Sequence, residues 1–246
     1  MRDDLLHAQA SVDWAVSHFP SFEQRMAAWL ADNVHIRVEK TKPPITHSVI
    51  VGSQKALLPL SFNVDFGMYI HAIRSSLDML ATALAIRHST CRPDDAYFPI
   101  ASSADAFAAG RYKGHKLVER LPDVERAKIE ALKPYNGGNK SLHALHQLDI
   151  MRKHRKLIDV EVTPGTMRLS GTQQALLNFV PVTLMPFRLN EEAVLGFLYN
   201  GAPEGNLQIA PNISIYDTDL PAGESIVGPL DDFARLANSI IGLFEG

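Results

Sequence analysis

Ser141–Ser170, SLHALHQLDIMRKHRKLIDVEVTPGTMRLS, decides the fold, because the spacing of its apolar residues changes partway along. Ala144, Leu145, Leu148 and Met151 recur three or four positions apart, the spacing of a helix with about 3.6 residues per turn. After Lys156 the apolar residues alternate around Pro164-Gly165, as in a half-buried strand pair with a turn. A helical segment therefore hands over to sheet within thirty residues.

Outward from this switch, the following strand-like runs are Phe179 to Leu189, Ala193 to Tyr199 and Leu207 to Tyr216. Helical spacing returns with Leu230, Phe233, Leu236, Ala237, Ile240, Ile241 and Phe244. On the N-terminal side, Met68 to Arg87 is the clearest helix, with Ile70, Ile73, Leu77, Leu80 and Leu84 in one stripe. Ala104 to Ala109 and Pro122 to Leu132 read as further helices, and Asn139 or Ser141 is available to cap the next. Val34, Ile36 and Val38 alternate with polar residues, and Lys42-Pro43-Pro44 turns the chain toward a second run, Ser48 to Val51. Pro59 to Phe66 is expected to add a strand. At the start, Leu5, Val12, Val16 and Phe19 mark one helical face; Pro20 is expected to break it, with Ser21 capping a second piece that carries Phe22, Met26 and Trp29.

This order predicts an α+β fold: a helical bundle layer with a small β-hairpin, a larger antiparallel β layer, and a C-terminal helix returning to the bundle. The expected organisation is one cooperative unit over residues 1–246, helix-rich over 1–157 with the hairpin at 34–66, β-rich over 158–217, and helical again over 229–244.

Composition narrows the classes. The chain has 246 residues, 46% of them hydrophobic, enough for a sizeable core. A net charge of −3 excludes the global cationic field of a general nucleic-acid binder, while leaving room for a local patch such as Arg152 to Lys156. Cys91 is the only cysteine, so an intrachain disulfide and a cysteine-based zinc site are both excluded. No run approaches the roughly 20 apolar residues of a membrane span, and MRDDLLHAQ has no signal core, so a cytoplasmic protein without a membrane partner is expected.

The histidines mark the place to look for chemistry. At about 100° per residue, His143, His146, Lys153 and His154 share about a third of the helix circumference, beside Asp149 and away from the apolar face. Histidine titrates near neutrality and serves as acid, base, ligand or hydrogen-bonder. On Met68 to Arg87, His71, Arg74 and Asp78 line one flank of the apolar stripe, and the two polar flanks are expected to meet. Arg74 and Asp78 also read as a plain intrahelical pair. His143 and His146, three apart, could ligate a divalent transition metal if Asp149, His71 or Asp78 completed an N/O site; solvent-facing or structural histidines are the expected alternative, and no cofactor is predicted. Arg152, Lys153, Arg155 and Lys156 suit a helix C-terminus whether or not they meet phosphate. GxGxxG, GxxxxGK[ST] and GxSxG patterns are all lacking, which removes most support for nucleotide-dependent and α/β-hydrolase readings.

The set Arg74-Ser75-Ser76-Leu77-Asp78, Phe98-Pro99-Ile100, Lys133-Pro134-Tyr135 and Lys153-His154-Arg155 resembles a broad bacterial family of uncharacterised proteins. In that family an RSALDHL-like helix, an FPI loop, a QPY turn and a DKHR-like helix end recur in this order. The likeness spans roughly Met68 to Leu157, and Arg152 stands where the family has its aspartate. The RSALDHL pattern is in turn similar to the Arg-x4–6-His signature of HEPN helical ribonucleases, in which arginine holds the scissile phosphate and histidine assists 2′-hydroxyl attack without a metal. The allowed histidine positions here are Met79, Leu80 and Ala81, so the base would have to be His71 or His154. The resemblance implies an RNA-interacting protein with Arg74, Asp78, His146 and His154 as catalytic candidates, and His71, Lys153, Arg155 and Tyr135 for substrate. A metal-assisted hydrolase of a small molecule and a non-catalytic interaction module are the alternatives.

Overall fold

Helix α2 (Leu60–His88) buries the whole stripe Ile70, Ile73, Leu77, Leu80 and Leu84. This computed structural model describes residues 2–41, 47–89, 92, 95–154, 156–169, 179–181, 186–199, 207–215 and 225–246. The expected Lys42-Pro43-Pro44 turn, Cys91, Arg155 and Tyr216 fall outside those residues. Pro59–Phe66, expected as a strand, instead enters α2. The Pro59 carbonyl accepts from Phe62 N at 3.0 Å, and buried Phe62 and Phe66 lie four apart in line with Ile70. A proline at a helix entrance loses no needed N–H, so Pro59 starts the helix rather than an edge strand.

Helix α1 (Leu6–Asn33) runs through Pro20 without the expected break. One hydrogen bond is lost there, but Leu5, Ala8, Val12, Ala15 and Phe19 before it, and Phe22 and Met26 after it, are buried and hold the helix on both sides. Val16, expected on the buried face, is 41% exposed; the face is completed by the small Ala8 and Ala15. The chain divides into two compact units, and two of the four divisions fall inside helices, at Pro20/Ser21 within α1 and at Asn63/Val64 within α2.

The first unit, Met1–Pro20, Val64–Ile158 and Val227–Gly246, is the helical bundle. Besides its parts of α1 and α2 it holds α3 (Ala104–Ala108), α4 (His115–Arg120), α5 (Asp123–Ala131), α6 (Lys140–His154) and α7 (Val227–Gly242). Ser103 caps α3 by accepting from Ala106 N, and Asn139 caps α6 by accepting from Leu142 N at 3.0 Å. Leu142, Leu145 and Leu148 of α6 are buried, as are Leu230, Phe233, Ala237, Ile240 and Ile241 of α7. Polar clasps fix neighbours: Ser11 Oγ donates to Ala72 O at 2.8 Å, and Gln9 Nε2 to Asn238 Oδ1 at 2.9 Å. At the end of α2, Arg87 reaches Asp4, Glu125 and the Phe244 carbonyl, so one guanidinium ties both chain ends to α5.

The second unit, Ser21–Asn63 and Asp159–Ile226, carries the sheets. Strands β1 (Val34–Lys40) and β2 (His47–Gln54) form the expected hairpin pairing, and they join β5 (Glu192–Tyr199) and β4 (Phe179–Pro181) in an antiparallel sheet of order β1-β2-β5-β4. Strands β3 (Val160–Leu169) and β6 (Leu207–Ile215) pair separately, also antiparallel. Pro164-Gly165 is a bulge within β3 rather than a hairpin turn. The register slips between Thr163 and Thr166, Gly165 has φ +62°, and a Cβ there would lie 2.3 Å from Ala210 O. Val34, Ile50, Val162, Phe187, Leu195 and Leu198 form the core of this unit, with Trp29 and Leu30 packed against it. Gly52 is required where Phe187 crosses β2, since an added Cβ would stand 2.5 Å from its ring.

Helix, antiparallel sheet and a returning C-terminal helix make this an α+β fold. Among the described residues no helix is long and apolar enough to cross a membrane.

Candidate functional site

The Val64–His88 part of α2 and all of α6 lie in the helical unit, where they bring their polar flanks together as the spacing predicts. His71 Nδ1 lies 3.0 Å from Asp149 Oδ1, and Lys153 Nζ lies 2.7 Å from Asp149 Oδ2. Asp149 is only 3% exposed, so its charge is satisfied by these two partners rather than by water. Asp149 is thus a buried carboxylate shared between His71 of α2 and Lys153 of α6. Among the described residues no group of three or more His, Cys, Asp or Glu is arranged to hold a metal ion, and His143 has Gln147 Nε2 beside its Nε2 at 3.4 Å.

Arg74 is 4% exposed. Its NH1 approaches Asp78 Oδ1 at 2.9 Å, off the line of a hydrogen bond, and its Nε donates to His146 Nδ1 over a long 3.4 Å. Asp78 is additionally held by the Phe98 backbone N–H at 2.9 Å, which pins the FPI loop to α2. Spacing predicts the Arg74–Asp78 pair; the Phe98 amide carries no side-chain signal and emerges only from the fold.

An acceptor role at Nδ1 leaves the proton of His146 on Nε2. Burial above all, then the Arg74 charge, pushes His146 from the ordinary 6.5 down to about 4, against the opposing pull of Asp78 and Asp149. His146 is therefore neutral at pH 7 and poorly placed to exchange protons there. It also makes the fold acid-sensitive. Between pH 6.5 and 4 the unfolded chain binds a proton at this residue that folded His146 refuses, so stability is complete above this window and falls as pH drops through it. The loss expected from this group is at most about 3 kcal/mol. Asparagine keeps an acceptor near the position of Nδ1, so His146→Asn should unfold less steeply with acid than the parent; equal slopes in thermal melts from pH 7 to 4 would refute this.

Of the remaining candidates, Arg155 lies outside the described residues. His154, at the last residue of α6, is exposed, and among the described residues it makes no hydrogen bond or ion pair with Arg74. Tyr135 stands by Phe107, 5.8 Å between centroids, and its backbone bridges Ala101. Arg152 instead lies along α2: NH2 reaches Met68 Sδ at 2.9 Å, and a Cβ at Gly67 would stand 2.9 Å from Arg152 Cδ. A glycine inside a helix costs stability, and here it makes room for that side chain. Compared with protein-family models, curated proteins and solved structures, the chain gives no match in any of the three.

Proposed function

We propose that the α2–α6 cluster is a metal-independent acid–base site acting on RNA phosphodiesters. The observation that carries this reading is His71 paired through Nδ1 with the buried Asp149 at 3.0 Å. A carboxylate at Nδ1 holds the ring proton there and leaves the Nε2 lone pair free, the arrangement of a general base. His71 keeps 36% of its side chain exposed, so a substrate can reach it. In the reaction Nε2 takes the 2′-hydroxyl proton, the 2′-oxygen bonds to phosphorus, the bond to the 5′-oxygen breaks, and that oxygen takes a proton from water. Lys153, sharing Asp149 with His71, supplies positive charge for the phosphate.

The likeness to the HEPN pattern supports RNA as the substrate class, with His71 doing what Met79 cannot. Arg74 takes a different part from the phosphate-gripping arginine of that pattern: it is buried against Asp78 and shapes the site from beneath. The test is incubation of labelled single-stranded RNA with the protein in chelator. Fragments ending in 2′,3′-cyclic phosphate are expected, and they should be missing with His71→Asn. Intact RNA, or equal cutting by the variant, would overturn the proposal.

One observation favours a second reading, a non-catalytic interaction module: Asp149 is fully occupied by His71 and Lys153, as a latch between helices would be. In that case Lys153→Ala changes the melting temperature and no reaction.

A further inference from the structure

We propose that the loops around Tyr97 and Tyr135 form a docking surface for single-stranded RNA, bases stacking on the aromatic rings and phosphates meeting the flanking cations. The inference rests on the RNA reading above and extends it from a reaction to a binding preference. Its first support is charge. Residues 97–116 and 133–140 hold five cations against one carboxylate, Asp105, in a chain of net charge −3. Arg111, Lys113, Lys116, Lys133 and Lys140 are all exposed, and among the described residues none has a carboxylate partner. Such a local patch in an acidic protein fits a polyanion.

The second support is what stands among those cations. Phe107 and Tyr112 stack at 4.9 Å with only 8° between their planes, and Tyr135 continues the group at 5.8 Å from Phe107. Tyr97 is 40% exposed, and Lys113 Nζ sits 5.1 Å from its ring centroid. Unpaired bases stack on such rings whatever their identity, whereas paired bases hide their faces inside the duplex. Glu119 and Glu130 lie toward the Tyr112 side. With burial as the largest cause, they push its hydroxyl up to about 12, so Tyr112 stays neutral and adds no repulsion.

The third support is that the two loops are built as one surface. Ala101 N donates to Pro134 O at 2.9 Å, and Asn136 N to Ala101 O at 3.4 Å. Gly114, with φ +87°, lets the chain pass so close to Tyr97 that a Cβ would lie 2.2 Å from the Tyr97 carbonyl oxygen. Tyr97 adjoins Phe98, whose N–H binds Asp78, so the surface begins where the Arg74–Asp78 pair ends. His71 lies on the same helix, seven residues before Asp78.

The test is fluorescence anisotropy in chelator with the full chain carrying His71→Asn, so that no cutting interferes. The probe is a labelled oligouridylate of about a dozen nucleotides, alone or paired with oligoadenylate. The single strand should bind at least about tenfold tighter than the duplex, and Tyr97→Ala with Lys113→Ala should weaken it by about tenfold or more, while Tyr97→Phe keeps affinity. Single-strand binding should also fall steeply with salt. Equal binding of strand and duplex, or unchanged affinity in the double variant, overturns the surface. Single-strand binding without cleavage by the parent protein keeps it and sinks the acid–base reading. Cleavage with unchanged binding in the double variant does the reverse.

Discussion

His71→Asn is expected to leave the fold intact and to slow RNA cleavage by about 10²- to 10⁴-fold, the usual worth of a positioned general base. Asparagine places its amide N–H near the position of Nδ1, so Asp149 keeps a donor as well as Lys153 Nζ at 2.7 Å. What disappears is the second ring nitrogen, the only atom of the side chain able to take the 2′-hydroxyl proton. The change should therefore fall on kcat with little effect on KM, and the circular dichroism and melting temperature should stay near the parent's. His146→Asn is the matching control: a neighbour already held neutral near pH 7 should cost far less activity. A His71→Asn protein that melts many degrees lower and cuts RNA at the parent rate would mark the pair as a latch.

Local patterns made the helices legible. The α2 stripe from Ile70 to Leu84 and the α7 run from Leu230 to Ile241 needed only periodicity and uninterrupted helix formers. Proline and glycine misled wherever tertiary packing outweighed their local preference. Pro20 sits inside a helix, Pro59 opens one, and Pro164-Gly165 makes a bulge, because each has a neighbour whose burial or pairing restores what the local break costs. The site was half visible. Spacing put His71, Arg74 and Asp78 on one flank, and His146, Asp149 and Lys153 on another, yet periodicity does not tell which residue faces which across two helices. His71–Asp149, whose members are 78 positions apart, and the Phe98 amide on Asp78 are set by helix rotation and loop path, which are properties of the whole bundle.

Arg74→Met should destabilise the protein by about 2–3 kcal/mol, below the roughly 3–5 kcal/mol typical of breaking a fully buried pair. The discount follows from Asp78, which keeps 32% of its side chain exposed and still accepts from Phe98 N, so the carboxylate left behind is partly solvated. Methionine fills most of the space of the arginine stem, which separates the loss of charge from the loss of packing. Adding Asp78→Asn should recover much of the stability, because asparagine retains the acceptor for Phe98 and removes the charge that Arg74 balanced. Removing Arg74 also lifts one of the causes that hold His146 low, so the His146 titration, followed by NMR, should move upward from about 4. An arginine that gripped phosphate would behave otherwise: its loss would leave melting unchanged and cut RNA affinity and its salt dependence. Burial of Arg74 at 4% exposure decides for the first outcome, and an Arg74→Met protein as stable as its parent would overturn it.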